Sequence, residues 1–289
     1  MEAVTYTAPA KINLYLKVTG KRSDGYHNLD TLFLPLSFPA DRVTLDFAAK
    51  EGIEIACNTY GVPLDSKNIC WKAADSYYKQ AGIAPACKIT IEKNIPVAAG
   101  LGGGSSNAAS VLKALNSHFD ALGSEALTRI AMSCGADVPF FLDSKPAFAA
   151  GTGDAFEYPD NFVFNWSLLL INPGFPVSAA WAYSHLSKDF IGALSSGFRN
   201  KLLAGLQSGS SETLKDYIHN DLAAALYYKF PLLKMLRRDL LAAGADAVEI
   251  SGSGPTLFAL CRDDAVREQL IGMLEEYHQP LQVFKAEVL

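Results

Sequence analysis

The segment Pro96-Val-Ala-Ala-Gly-Leu-Gly-Gly-Gly-Ser-Ser-Asn-Ala-Ala109 sets four glycines, Gly100, Gly102, Gly103 and Gly104, directly ahead of a helical pattern. Lacking a Cβ, these residues reach positive φ and let successive backbone N–H groups converge on an anion that side chains would hold off. Ser105, Ser106 and Asn107 can open the helix, and Ala108, Val111, Leu112 and Leu115 follow at i, i+3, i+4, i+7 spacing. The positive end of the helix dipole then points where the loop N–H groups point. The segment reads as a phosphate cradle, and a flexible turn is the other reading its glycines allow. No lysine follows the last glycine, which excludes a Walker A loop. The spacing also differs from the dinucleotide-binding fingerprint.

A phosphate site here has to be local, because the whole chain is acidic, with a net charge of −5. Nucleic-acid and membrane-surface binding call for a clustered basic face and are not expected. The 289 residues, 49% hydrophobic and 19% charged, suit two globular domains, with the change placed near Pro159. Five scattered cysteines without a C-x-x-C pair suggest reduced thiols rather than disulfides or a zinc site. With neither a leader-like nor a membrane-spanning segment in view, a soluble cytoplasmic protein is expected.

Residues 3–18 alternate loosely around Val4, Tyr6, Ile12, Leu14 and Leu16, as a strand or hairpin interrupted at Ala8-Pro-Ala10. Lys11 lies within this stretch either on a solvent face or as a cation facing a phosphate. A turn-rich loop, Gly20-Lys-Arg-Ser-Asp-Gly-Tyr-His-Asn28, precedes an apolar strand over 29–38; Tyr26 and His27, taken alone, read as structural. Val43, Leu45 and Phe47 with Ile53 and Ile55 suggest a second hairpin, and Ile69, Ala73 and Tyr77 a helix. Ile89 and Ile91 put a strand ahead of the glycine loop. Ser124 is a candidate N-cap for a helix that stops at Gly135. Asp137 then sits between that helix end and an apolar run, as a turn residue or as a catalytic acid. Beyond it come a turn at Gly151-Thr-Gly-Asp154 and a buried strand over 168–171. Helices follow around 178–186, 214–228 and 231–243, then strand, glycine turn and strand over 248–260, a last helix and a closing strand. Without a run of β-α-β repeats, this order points to α+β domains.

Three separated motifs, Ala8-Pro-Ala-Lys-Ile-Asn-Leu14, the glycine–serine loop and Ser251-Gly-Ser-Gly-Pro-Thr256, together resemble the GHMP kinases over nearly the whole chain. Gly20-Lys-Arg-Ser-Asp-Gly-Tyr-His27, Gly135-Ala-Asp-Val-Pro139 and Asn172-Pro-Gly174 are similar to the branch that phosphorylates 4-diphosphocytidyl-2-C-methyl-D-erythritol in non-mevalonate isoprenoid synthesis. The resemblance implies an α+β fold of two domains. Residues 1–158 would form a ribosomal-protein-S5-like domain and 159–289 a ferredoxin-like one, with the active-site cleft between them.

By the same resemblance, Asp137 accepts the proton of the substrate 2-hydroxyl, and Lys11 neighbours both that hydroxyl and the γ-phosphate of ATP. Asn13 positions the substrate; Tyr26, His27 and Tyr183 hold its cytosine. Pro96, Gly100, Gly102, Gly103, Gly104, Ser105, Ser106 and Asn107 bind the phosphates, and Asn68 and Lys93 fall where adenine contacts are expected. Mg²⁺ accompanies ATP, with Ser105 or Ser106 within reach of it. Small molecules are the expected partners, and no protein partner is implied. Ala179 and Asn107 depart from residues common in the branch, Thr and Asp. A homoserine or mevalonate type kinase would keep the glycine loop but have no use for Tyr26-His27. A non-enzymatic sensor would be expected to lose the Lys11–Asp137 pair.

Overall fold

The computed structural model describes residues 3–48 and 51–289 and resolves the chain into two compact units that interleave along the sequence. One comprises Met1–Ala10, Pro39–Ile95 and Gly102–Lys145; the other comprises Lys11–Phe38, Pro96–Leu101 and Pro146–Leu289. Two long strands, β1 (Val4–Lys21) and β2 (His27–Asp46), run from one unit into the other, and the glycine loop is divided between them.

Within the first unit, β3 (Gly52–Cys57) lies parallel to β4 (Ala86–Glu92), and β4 is antiparallel to residues 42–46 of β2. The hairpin expected from Val43 to Ile55 therefore does not form. Alternation gives each strand a buried face but does not choose its partner, and β3 pairs with a strand some thirty residues on in parallel register. Helix α1 (Ile69–Ala81) begins at Asn68, whose side chain accepts from the N–H of Cys70, and ends at Gly82 with φ +66°. It packs on α2 (Gly103–Phe119), which starts two residues earlier than the serines suggested. Tyr77 and Tyr78 of α1 and Val111, Leu112 and Leu115 of α2 are buried with Leu45, Ile55, Ile89 and Ile91 of the strands. Next come α3 (Ser124–Cys134), which stops at Gly135 as expected, and the single turn α4 (Phe140–Asp143).

In the second unit, residues 29–33 of β2 pair antiparallel with β5 (Ala147–Gly151), which turns through Gly151 and Gly153 into β6 (Ala155–Glu157). A second sheet joins β7 (Ser167–Asn172), β8 (Ala247–Ile250), β9 (Leu257–Cys261) and β10 (Gln282–Ala286), all antiparallel, in the order β10-β7-β9-β8. Numbered within the sheet this is 4-1-3-2, the ferredoxin-like β-α-β-β-α-β arrangement. Helices α9 (Pro231–Ala242) and α10 (Asp264–Glu275) pack against it. Leu169, Ile171, Leu257 and Ala259 of the sheet share a core with Leu233, Leu236, Leu240, Leu270 and Leu274 of the helices.

Between β7 and β8 the structure has α5 (Ala179–Ser184), α6 (Phe198–Ser208), α7 (Ser211–Leu214) and α8 (Ala223–Lys229). The helix expected over 214–228 is broken: a 3-10 turn at Lys215–Tyr217 is followed by extended backbone at Ile218 before α8. There Leu16 donates to the carbonyl of His219, and the N–H of Asp221 donates to the carbonyl of Leu16. Tertiary hydrogen bonds thus take up backbone groups that a continuous helix would have used. Among the described residues no helix is long and apolar enough to cross a membrane.

Candidate active site

β1 decides the environment of Lys11. Pro9 does not interrupt the strand: among the described strands β1 pairs with β2, and its other edge makes only isolated backbone contacts at Lys11 and Leu16, away from the N–H that proline lacks. Residues 8–16 are buried on both faces, and Lys11, only 4% exposed, is not on a solvent face. A buried ammonium has to be compensated by acceptors or a π face. Its Nζ donates to Asn13 Oδ1 at 2.7 Å and stands 4.7 Å from the centre of the Phe33 ring. Its backbone N–H donates to the carbonyl of Leu101, so β1 is tied at Lys11 to the end of the 96–101 segment.

The late Ser-Gly-Ser-Gly motif explains how that segment is held. Ser251 Oγ donates to the carbonyl of Gly100 at 2.9 Å and accepts from the N–H of Asn13 at 3.2 Å. Thr256 N–H donates to the carbonyl of Ala99. Asn220 Nδ2 donates to the carbonyls of Ile250 and Gly252, fixing the loop from the far side. Gly100 has φ +78°, and a Cβ there would run into the Ser251 carbonyl; Gly252 has φ +55°, and a Cβ there would come within 2.9 Å of Asn13 Oδ1. Gly100 is required by close backbone approach, and Gly252 by its positive φ and the Asn13 amide beside it, roles beyond leaving room for phosphate.

Helix α2 opens from Gly102 at φ +70°, and no side chain caps it. Its first N–H groups are therefore left without a side-chain acceptor, the condition under which a helix N-terminus binds an anion. Ser106, buried in the first turn, has an Oγ with no hydrogen-bond partner among the described residues, whereas Ser105 is half-buried. Uncapped N–H groups and a buried unpaired hydroxyl suit the oxygens of an anion such as phosphate.

Beneath this helix end, Asp41 is fully buried and was not singled out from the sequence. Its carboxylate accepts from Lys93 Nζ, from Asn107 Nδ2 at 2.8 Å, and from the N–H groups of Asn94 and Ile95 at 2.7 and 2.8 Å. Asn107 Oδ1 in turn accepts from Lys93 Nζ at 3.1 Å. The cluster locks α2 to the chain leaving β4, and losing one member of such a buried ion pair typically costs about 3–5 kcal/mol. Lys93 and Asn107 are thus brought together with their polar groups engaged, as is Asn68, which caps α1 and donates to the carbonyl of Pro63. Asp41 is followed by Arg42 in a strand that carries several other polar residues, so no local signal set it apart. Burial pushes the Cys70 and Cys261 thiols up to about 12, which keeps these two protonated.

Asp137 lies half-buried in the turn 136–139, with Val138 N–H donating to the carbonyl of Gly135 and Phe141 N–H to that of Val138. In the other unit, His27 stacks on Tyr183 of α5, with ring centres 5.5 Å apart and planes 18° from parallel. Partial burial and the neighbouring Lys21 charge lower the His27 pKa, so its imidazole is neutral at pH 7 and offers one donor and one acceptor. Tyr26, next to His27 in the chain, is 68% exposed.

The description "GHMP kinases N terminal domain" matches residues 68–145, and "GHMP kinases C terminal" matches 202–279. A 4-diphosphocytidyl-2-C-methyl-D-erythritol kinase of Syntrophotalea carbinolica is 41% identical over 260 residues, 90% of each chain. A crystal structure of 4-(cytidine 5'-diphospho)-2C-methyl-D-erythritol kinase superposes with a TM-score of 0.80 at 31% identity, covering 98% of this chain and 99% of that one. A homoserine kinase from Cytophaga hutchinsonii reaches a TM-score of 0.78 at 19% identity, covering 100% of this chain and 95% of that one, a likeness of fold alone. With both domain matches and a relative 41% identical over 90% of each chain, the chain is a small-molecule kinase and belongs to the GHMP kinases.

Proposed function

We propose that the chain transfers the γ-phosphoryl group of ATP to the 2-hydroxyl of 4-diphosphocytidyl-2-C-methyl-D-erythritol, a step in non-mevalonate isoprenoid precursor synthesis. The observation that carries this reading is the His27–Tyr183 stack in the same unit as Lys11 and Asn13. An aromatic surface with a neutral imidazole suits a nucleobase and has no use for homoserine or mevalonate. Stacking supplies affinity that any pyrimidine could share, and the imidazole reads the hydrogen-bonding edge of cytosine.

Phosphoryl transfer asks the protein for positioning and for neutralisation of charge. The backbone of Gly100, Gly102, Gly103 and Gly104, with Pro96, Ser105, Ser106 and Asn107, takes the phosphates of ATP. Adenine lies toward Asn68 and Lys93, whose engaged side chains shape the surface beneath it. The hydroxyl of Ser105 or Ser106 would help to hold Mg²⁺ brought in with ATP, and that ion would supply neutralisation of phosphate charge. Asp137 orients the 2-hydroxyl and accepts its proton, while Lys11, steadied by Asn13, faces the transferring phosphoryl. In this reading residues 1–158 and 159–289 form the two domains. The test is ATP consumption by the purified protein with the cytidylyl alcohol, homoserine and mevalonate offered in turn. Turnover of the first alone is expected, and preference for either of the others would overturn the proposal.

A further inference from the structure

We propose that Thr31, which belongs to none of the recognised motifs, is a positioning residue for phosphoryl transfer: it dictates which end of the Asn13 amide faces Lys11. The inference rests on the proposed role of Lys11 at the transferring phosphoryl group. Thr31 is fully buried on β2, and its neighbours form a directed chain. Its Oγ1 donates to the backbone carbonyl of Tyr15, a group that can only accept. That uses the single hydroxyl proton, so the side of Oγ1 facing Asn13 presents lone pairs. Asn13 answers with its amide nitrogen, Nδ2 donating to Thr31 Oγ1 at 3.0 Å. The other end of the amide, Oδ1, is thereby turned to Lys11 and accepts from Nζ at 2.7 Å.

Reversing any one link reverses the rest. With no acceptor at position 31, the Asn13 amide is no longer penalised for rotating about its last torsion, and the rotated form sets an NH₂ group against the Lys11 ammonium. Two donors then face each other in a buried site, and the ammonium moves away. The consequence falls on the reacting groups and not on nucleotide affinity. The 96–101 segment is held separately, by the N–H of Lys11 and by Ser251, neither of which uses Thr31.

The test compares Thr31→Val, nearly the same shape without the hydroxyl, with Thr31→Ser, which keeps the hydroxyl and drops the methyl. Thr31→Val is expected to lower kcat by about tenfold, the effect of one lost buried hydrogen bond, with KM for ATP within about twofold of the parent. Thr31→Ser is expected to stay within about threefold of the parent kcat. Combining Thr31→Val with Asn13→Ala should be no slower than Asn13→Ala alone, because both act through one chain of contacts. Thermal unfolding of each variant separates lost activity from lost protein. Should Thr31→Val not fold, Thr31→Cys, whose sulfur accepts weakly, carries the same expectation. The inference is overturned if folded Thr31→Val keeps its kcat, if Thr31→Ser is impaired as much as Thr31→Val, or if the double variant loses the product of both effects. An unmodified protein that turns over none of the three alcohols would instead remove the functional reading, leaving the order of the hydrogen bonds untouched.

Discussion

Gly252→Ala is the substitution whose consequences can be worked through most fully. Gly252 adopts φ +55°, and an L-residue in that region costs roughly 1–2 kcal/mol. The added Cβ would lie 2.9 Å from Asn13 Oδ1, 3.4 Å from the Gly100 carbonyl oxygen and 3.7 Å from Lys11 Nζ. To regain an ordinary contact the Asn13 amide must retreat by about half an ångström. It cannot do so freely, being held by Lys11 at 2.7 Å and Thr31 at 3.0 Å. The backbone term alone lowers the melting temperature by about 2–8 °C at roughly 2–4 °C per kcal/mol. A misplacement of about 1 Å can cost 10²-fold in rate, so half of that should cost roughly tenfold in kcat. KM for ATP should change little. Steady-state kinetics with each substrate varied in turn, together with a thermal melt, gives both quantities. Gly272→Ala, inside α10 with nothing within 4 Å of its added Cβ, is the control, expected to retain activity with an unchanged or raised melting temperature. If Gly252→Ala keeps kcat within twofold, the loop does not hold Asn13 against Lys11 and the reasoning fails.

Gly103→Val should lower the melting temperature before it affects nucleotide, because its Cβ would stand 3.0 Å from both Lys93 Nζ and Ile95 Cγ2; Gly104→Ala, 3.8 Å from Ile69 Cγ2, should melt like the parent, and equal melting of the two would refute this. Asp137→Asn should bind both substrates yet lose at least about 10²-fold in kcat, and Lys11→Met should also depress kcat. A Lys11→Met effect confined to KM would mark the lysine as a uniform binder. His27 titrates below its ordinary value of 6.5, so the neutral ring persists at pH 7 and is lost as the pH falls through the lowered pKa. KM for the cytidylyl alcohol should therefore rise in acid below pH 6.5 while KM for ATP does not follow it. A uridylyl analogue should be a poor substrate at neutral pH, and equal turnover of both would defeat the cytosine assignment.

The sequence by itself determined the features whose signals are local. The apolar stripe Ile69, Ala73 and Tyr77 placed α1, Gly135 ended α3, and Asn172-Pro-Gly174 closed β7. Four glycines before a helical repeat marked the start of α2, and three separated motifs carried the resemblance to the kinase family. Capping, turn chemistry and periodicity each depend on a few consecutive residues, so a linear reading recovers them. Tertiary structure alone decided the burial of Lys11. A lysine in an alternating strand looks solvent-facing until β1 is seen covered on both faces. It also decided that β3 pairs with β4, because alternation carries no information about partners. The interruption before α8 depends on backbone bonds to Leu16, some two hundred residues earlier. The polar residues that hold the site together, Asp41, Thr31 and Asn220, read in sequence as ordinary surface or turn residues. Each owes its role to partners far away along the chain: Asn107 for Asp41, the Tyr15 carbonyl and Asn13 for Thr31, and the carbonyls of Ile250 and Gly252 for Asn220. A buried hydrogen-bonding group is recognisable only by what satisfies it, and that is settled when distant segments pack.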